Sequence, residues 1–524
     1  MAIALPAGGE RVPRSRPLPP PMVRRSHALA CLLAALPVLA GSWAPPAHGG
    51  GGGGGGIPQD PLIVGEATVR VVDDTHLNQA LAILAKQFPA VRVLDSIAGH
   101  DVHLLGYGLT GRQSNDTFLA ALNALAAKGI LVWDELNYGA QTAEGKTDSL
   151  WVSNGAIGAP SYVNQYAWPL IGLDAAHART TGYGTVIAVL DTGVDASHPA
   201  LAGRVLPTSF SVVDALPSTA EFDDGIDVDG DGQTAEMFGH GTFVAGLIAA
   251  VAPDASILSV RVLDDDGYGD LYRITKAMYW AIDQGVDVVN MSLGSTYKSV
   301  AVESAAADAW SLGIAVVGAA GNLGIEDPRE YPACQSTAIG VAATDGTDLK
   351  ATFSNFNSKL ALSAPGDTVF LANGAPDAAQ AIISCVPGGG WAAWEGTSLS
   401  TALVSGAVAL VRAQHPEWPN AAVPAGTIVD EILATLATTA EPLDGNNPDF
   451  NGMLGAGRIS VGAAAAAGPI QPRPGDIDLD GTVGAKDLSL MLGSWGSCIG
   501  CPADINHDGV VDAADLSVLL GAWS

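Results

Sequence analysis

The sequence predicts an α/β protein built on a doubly wound, mostly parallel sheet, with a small α+β domain in front and a small helical module behind. Three features predict it. From Thr185 to about Ala466 short apolar strands alternate with helix-length segments, the pattern of parallel β-α-β units. Between about 68 and 138 strands and helices follow the order β-α-β-β-α-β. The C-terminal stretch repeats an Asp-rich loop followed by an apolar helix.

The elements follow in chain order. Met22-Val23-Arg24-Arg25 precedes an apolar run from Ala28 to Ala40, and small residues follow. A basic start, a short apolar core and small residues describe a secretory signal peptide over residues 1–48, with Met22 as the expected start and Cys31 inside the apolar run. That run is too short for a membrane span. Glycines 49–56 open a linker expected over 49–67. In the domain expected over 68–140, Thr68–Val72 reads as a strand. Asp74 or Thr75 caps a helix with Leu77, Leu81, Leu84 and Phe88 on its apolar face. Val91–Leu94 and Val102–Tyr107 read as strands, Phe118, Leu122 and Leu125 share a helical face that stops at Gly129, and Ile130–Leu136 closes the set. This order is that of a small ferredoxin-like sandwich. A linker-like stretch over 139–165 leads into the large α/β domain expected over 150–466, whose strands include Thr185–Leu190, Ile257–Val262, Val286–Met291 and Ile314–Ala319. A Pro-rich linker over 467–475 and a module over 476–524 complete the chain.

Composition narrows the function classes. With 24 basic against 54 acidic residues the net charge is −30, which argues against a nucleic-acid partner, since phosphate neutralisation needs clustered Lys and Arg. Outside the signal region four cysteines remain, Cys334, Cys385, Cys498 and Cys501. An even number in an exported chain favours disulfides, most simply Cys334 with Cys385 and Cys498 with Cys501.

Four segments of the α/β block carry chemistry. Asp191-Thr192-Gly193 follows a buried strand, Gly239-His240-Gly241-Thr242 opens an apolar helix, and Gly396-Thr397-Ser398 opens another. A serine hydroxyl needs a base to take its proton during attack; His240 can do that, and Asp191 can hold the other ring nitrogen in the right tautomer. Gly318-Ala319-Ala320-Gly321-Asn322 follows a strand, and the Asn322 amide with the Ser398 N–H can receive an oxyanion. Each segment alone has a bland explanation as a turn or helix entry, but the four occur together and in order.

On these motifs the chain resembles the subtilase family, over about 300 residues from Gln165 to Ala466. The resemblance implies a subtilisin-like sheet and a serine endopeptidase that works through an acyl-enzyme, with Asp191, His240, Ser398 and Asn322 in those four roles. It further implies that Gly267, Gly269, Ser292, Leu293 and Gly294 pair with the substrate backbone, and that Ala319, Ala320 and Gly321 line one wall of the primary specificity pocket. Between Asn322 and Pro332 the chain departs from the family, and the pocket floor has no name from sequence. Leu399, Ser400, Ala402 and Leu403 also depart from the usual serine motif, and Ala200 stands where many members carry a calcium-binding Asp. The resemblance makes the domain over 68–140 a propeptide that assists folding and blocks the cleft, with self-cleavage expected between about 138 and 165; a permanent accessory domain is the other reading.

Calcium is the expected metal. Asp476, Asp478, Asp480, Thr482 and Asp487 repeat 28 residues later as Asp504, Asn506, Asp508, Val510 and Asp515, with Asp512 as a further candidate ligand in the second loop and glycines 481 and 509 at the sixth loop position. This is EF-hand spacing with Asp in place of Glu at position twelve, as in dockerins. The resemblance implies an attachment module for a cohesin-like partner; a calcium-stabilised cap is the alternative. A second acidic loop with Asp227, Asp229 and Asp231 either wraps calcium or is simply solvated. The substrates implied are extracellular proteins or peptides. A catalytically dead adhesin and a narrow processing protease are the competing functions.

Overall fold

The computed structural model describes residues 61–524 apart from 110–112, 148–150, 154, 156, 214–219, 223–224, 227–232, 470–474, 478–481, 498–502, 506–509 and 524. The expected signal peptide, Cys31, the glycine run, Cys498, Cys501 and the acidic loop with Asp227, Asp229 and Asp231 lie outside the described residues.

The N-terminal part is β1 (Leu62–Val71), α1 (Asp74–Leu84), β2 (Arg92–Ile97), β3 (Val102–Gly106), α2 (Asn115–Ala126) and β4 (Leu131–Thr142). Its four strands are antiparallel in the order β4-β1-β3-β2. Phe88, Leu105, Phe118 and Leu122 form its core, with the Phe118 ring stacked on Tyr107 at 3.7 Å and edge-on to Phe88 at 4.9 Å. The starts of β1 and α1 differ from the sequence reading. β1 starts at Leu62, inside the expected linker, because a bulge between Leu62 and Ala67, with Gly65 at φ +90°, lets an irregular apolar stretch keep pairing. Asp73, one residue earlier than expected, caps α1 by accepting from His76 N, and Phe88 packs from beyond the helix end.

The second part begins with short helices α3 (Ala159–Val163), α4 (Ala167–Ile171) and α5 (Leu173–His177), then β5 (Val186–Asp191) and β6 (Phe210–Ser211). Next come α6 (His240–Val251), β7 (Ser256–Arg261), β8 (Tyr268–Asp270), α7 (Leu271–Asp283), β9 (Val288–Met291), β10 (Leu293–Gly294), α8 (Val300–Ser311), β11 (Ala315–Ala319), β12 (Ile339–Thr344) and β13 (Leu362–Pro365). A hairpin β14 (Ile382–Val386) and β15 (Gly390–Trp394) precedes α9 (Thr397–Ala413), α10 (Ile428–Thr438) and α11 (Val461–Ala467). The sheet is parallel, ordered β13-β12-β11-β9-β5-β7-β6, with its central strands buried apart from the half-buried Val186 at the start of β5. Strands buried on both faces need continuous apolar runs, which is what Val186–Leu190 and Ala315–Ala319 supply. One apolar cluster joins α6 and α9 to the sheet, and a second joins α7 and α8 to it.

Cys334 and Cys385 are both free, correcting the expected bridge. Cys385 is buried in β14 with its thiol on Thr242 O, while the Cys334 sulfur meets the Asn357 amide. Burial raises both thiols, Cys385 to about 12, so each behaves as a small apolar group. Among the described residues no helix is long and apolar enough to cross a membrane.

The tail contains α12 (Ala485–Gly493), β16 (Gly496–Ser497), β17 (Val510–Val511) and α13 (Ala513–Gly521), with β16 and β17 antiparallel. Val483, Met491, Ile505, Val511 and Leu519 form its core.

β4 outruns its expected end at Leu136. Its outward-facing Glu135 accepts from Ser299 Oγ (2.6 Å), Val300 N (2.7 Å) and Ala301 N (3.3 Å) at the start of α8. Two residues on, and so on the same face, Asn137 Oδ1 accepts from Tyr272 N at the start of α7. One strand thus caps two helices of the larger part. Arg70 reaches Ser304 and Asp308, and Tyr138 stacks on Tyr297 at 3.8 Å. Burial raises the Glu135 carboxyl to about 7. Its folded pKa lies above the ordinary 4.5, so its contribution to docking is complete below that value and is lost as pH rises through about 7. Denaturant unfolding at pH 4 should therefore show Glu135→Ala to cost about 1–3 kcal/mol, with the difference from the parent shrinking as pH rises to about 7.

Candidate active site

The sequence-predicted residues converge at the carboxyl ends of the central strands. Asp191 ends β5, His240 begins α6, Asn322 follows β11, and Ser398 is the second residue of α9. The side-chain pockets are tight: a Cβ on Gly241 would lie 2.1 Å from Gly193 O, and one on Gly396 would strike the Glu144 carboxylate. Asp191, His240 and Ser398 are wholly buried. Asp191 Oδ1 is 2.7 Å from His240 Nδ1 and also accepts from Thr192 N at 2.8 Å. Trp394 packs edge-on against the imidazole, centroids 5.3 Å apart. Glu221, with a carboxyl raised to about 7 by burial, accepts from Gly239 N and from the hydroxyls of Thr192 and Thr242, tying the entry of α6 to the loop after β5.

Asn322 is held in one orientation. Its Oδ1 accepts from Thr397 N (2.9 Å) and Thr397 Oγ1 (2.8 Å), so its Nδ2 points at the space before Ser398. The Ser398 N–H, in the first turn of α9, points at the same space, where the helix end favours negative charge. Ser398 Oγ also donates to Ser292 O at 3.1 Å, and Ser292 Oγ donates to Ser398 O at 3.0 Å.

A residue absent from the sequence reading fills that space. Glu144 Oε1 accepts from Asn322 Nδ2 (3.1 Å) and Ser398 N (3.4 Å), while Oε2 accepts from Ser398 Oγ (2.5 Å) and lies 3.1 Å from His240 Nε2. The carboxylate thus stands where an oxyanion would stand. Nothing local in the sequence singles it out, because Glu144 belongs to a polar connecting stretch and its role arises only from where β4 delivers it.

β4 reaches this place along the predicted substrate rails. Ala140 pairs with Gly269, and Thr142 N donates to Gly267 O at 3.1 Å. On the other side Thr142 pairs with Leu293 and Gln141 with Gly294. Four residues past β4, Lys146 Nζ lies 2.5 Å from Glu330 Oε1, both side chains almost fully buried. Ala320 O accepts from Asn355 Nδ2, and Gly321 N donates to Thr397 Oγ1, so the predicted wall 319–321 is fixed beside Asn322.

Electrostatically, His240 sits between two carboxylates. Burial works against its charged form, but the Asp191 charge and hydrogen bond together with Glu144 outweigh it and raise the imidazole to about 10. Glu144 is pushed up by burial and pulled down further by His240, Ser398 and Asn322, for a net lowering. With both ring nitrogens donating, His240 is an imidazolium and cannot take a proton from Ser398. In this state the arrangement is locked; with Glu144 withdrawn, the same donors and base can serve attack on a carbonyl.

Among the described residues no group of three or more His, Cys, Asp or Glu side chains is gathered to hold a metal ion. In the tail, Asp476, Asp487, Asp504 and Asp515 are buried. Asp487 accepts from Ile477 N and Gly484 N, and Asp515 repeats this with Ile505 N and Asp512 N. Asp512 caps α13, and Thr482 and Val510 hold the seventh position of the two loops. Asp478, Asp480, Asn506 and Asp508 lie outside the described residues.

Residues 182–457 match the Peptidase S8 family, described as the subtilase family. Thermitase of Thermoactinomyces vulgaris is 35% identical over 275 residues, spanning 50% of this chain and 84% of thermitase. Subtilisin NAT of Bacillus subtilis subsp. natto is 37% identical over 298 residues, 54% of this chain and 66% of that protein. The crystal structure of fervidolysin from Fervidobacterium pennivorans, described as a keratinolytic enzyme related to subtilisin, superposes with a TM-score of 0.58 at 24% identity. That likeness in fold covers 78% of this chain and 62% of fervidolysin.

The Glu144 lock has a pH signature. The lowered Glu144 pKa means its contact is intact above the ordinary 4.5 and fails as pH falls below it; the raised His240 pKa means that contact is complete below 6.5 and fails as pH rises through about 10. NMR titration of His240 in a Ser398→Ala chain is expected to show the ring still protonated well above neutrality. Adding Glu144→Gln should lower its pKa by at least about one unit.

Proposed function

The chain belongs to the subtilase family of serine endopeptidases, and from that premise we propose that it is made as a self-processing secreted precursor whose catalytic residues are Asp191, His240, Ser398 and Asn322. The reading rests on one observation above the others: Asp191 holds the His240 ring at 2.7 Å, and a single carboxylate oxygen bridges that ring and Ser398 Oγ. Once Glu144 leaves, a peptide carbonyl takes its place. Ser398 Oγ attacks the carbonyl carbon while His240 Nε2 accepts the hydroxyl proton, and Asp191 steadies the imidazolium. The oxyanion is received by Asn322 Nδ2 and Ser398 N, already aimed and already dry. His240 then gives its proton to the leaving amine, and water, deprotonated by the same ring, releases the acyl group from Ser398.

The part that ends in β4 acts as the propeptide, of ferredoxin-like type. Support comes from β4 occupying both substrate rails, from Glu135 and Asn137 capping α8 and α7, and from Glu144 in the oxyanion position. Backbone pairing of this kind gives affinity with little dependence on side chains. The signal peptide read from residues 1–48 directs the precursor out of the cell, where proteins and peptides are the substrates.

The tail binds calcium in the manner of a dockerin. Four buried Asp residues at loop positions one and twelve, in two copies with matching backbone contacts, form an oxygen-rich donor set suited to a hard cation. Asp476, Asp478, Asp480, Thr482 and Asp487 would hold one ion, and Asp504, Asn506, Asp508, Val510 and Asp515 the other, with Asp512 beside it. The ion's chemistry there is structural, and a cohesin-like domain is the expected partner.

N-terminal sequencing of the secreted protein beside its Ser398→Ala form tests the reading. The parent is expected to start between about residues 140 and 165 and the variant to keep the upstream segment; identical N-termini would contradict it. For the tail, chelator should reduce the helical circular dichroism of the full chain and added calcium should restore it, while Asp487→Ala with Asp515→Ala should abolish the response.

A further inference from the structure

The floor of the primary specificity pocket, which the sequence left unnamed, is occupied by a charge. We propose that Glu330 is the specificity-determining residue of this pocket, and that the processed enzyme cleaves after Lys or Arg. The proposal rests on the endopeptidase reading above and names its substrate class.

Four observations carry it. First, Glu330 lies between the predicted substrate-pairing stretch at Gly294 and the predicted pocket wall at Gly321, which form the two walls around it. A Cβ placed on Gly294 would stand 2.7 Å from Glu330 Oε1, and one on Gly321, on the opposite wall, would stand 3.3 Å from Oε2. Second, its side chain is locked in depth: it is 1% exposed, and the adjoining Tyr331 exchanges backbone hydrogen bonds with Ser295 at 2.9 and 3.0 Å, which fastens the Glu330 segment to the Gly294 wall. Third, the chain supplies its own occupant. Lys146, two residues past the Glu144 that fills the oxyanion position, meets Glu330 Oε1 at 2.5 Å and is itself 1% exposed. Fourth, both walls are glycine where they face the carboxylate, so a long side chain can pass without a clash.

Burial of an ionised carboxylate is costly unless a cation meets it. Lys146 meets that need while the N-terminal segment is in place. When processing removes the segment, Glu330 becomes the charged base of an open slot, and a Lys ammonium or Arg guanidinium recovers the pairing. A Leu or Phe would instead desolvate the carboxylate without a partner, and an acidic side chain would be repelled. An Arg could bind in the bidentate manner that its planar fork allows.

The test uses the self-processed full chain and a set of fluorogenic peptides that differ only in the residue before the cleaved bond, Lys, Arg, Leu, Phe or Glu. The expected result is a kcat/KM for Lys and Arg at least about 30-fold above Leu and Phe, and a fall of at least about 30-fold in the Lys/Leu ratio on Glu330→Gln, the size expected for truncating one partner of a buried charge pair. Labelling by an organophosphonate, which reports Ser398 without regard to the pocket, is run in parallel. An enzyme that labels but prefers Leu or Phe, with a Lys/Leu ratio unmoved by Glu330→Gln, overturns the pocket assignment and leaves the endopeptidase reading intact. An enzyme that neither labels nor cleaves any peptide overturns both. If Glu330→Gln does not fold, the preference of the parent enzyme decides on its own.

Discussion

The site depends on how closely two helix starts and one strand end can approach. His240 reaches Asp191 only because Gly241 carries no side chain where its Cβ would meet Gly193 O at 2.1 Å. Deeper in the same layer, a Cβ on Gly406 of α9 would meet the Val251 side chain of α6 at 2.6 Å, and one on Gly246 would meet Ser384 Oγ at 2.2 Å. Any larger residue at these points pushes a helix off the sheet by more than the tolerance of a hydrogen bond. Close packing of this kind transmits small shifts rather than absorbing them. The 2.7 Å contact between His240 and Asp191 is therefore set by glycines that take no part in chemistry.

The chain carries a net charge of −30, and three of its acids gather around a single imidazole. The acids there are separated by environment rather than by type. Asp191 is fixed by Thr192 and the ring, Glu144 is held low by His240, Ser398 and Asn322, and Glu221 is raised to about 7 and serves hydroxyls and an amide. Burial alone would raise both glutamates; the direction each takes follows from whether the imidazole meets its carboxylate directly. Glu330 repeats the principle outside this group, with Lys146 as its cation.

What was legible in the sequence followed regular spacing. The alternation of buried strands with helices gave the parallel sheet, and the Asp, His, Ser and Asn motifs stood out because each sits at a strand end or helix start where local sequence is constrained. The rails at 267–269 and 292–294 were legible only through family resemblance, since glycine and small residues carry no chemical mark. Glu144, Lys146 and Glu330 were illegible for a different reason. Each is an ordinary charged residue in a connecting segment, and its meaning comes from partners 96 to 254 positions away. The expected Cys334–Cys385 bridge failed similarly: an even number of cysteines says nothing about which sit in β14 and which in a turn beside Asn357.

β4 is at once the last strand of one antiparallel sheet and an insertion between β8 and β10. While it is joined to the rest of the chain, its competition with any incoming peptide is decided by effective concentration, which for a short tether reaches the millimolar range. If the chain is cut downstream of Glu144, as proposed, the strand becomes a separate molecule, and its hold weakens with dilution. Release into a large volume then does what no change in the pocket could do, turning an intramolecular seal into a ligand that the surroundings can wash away.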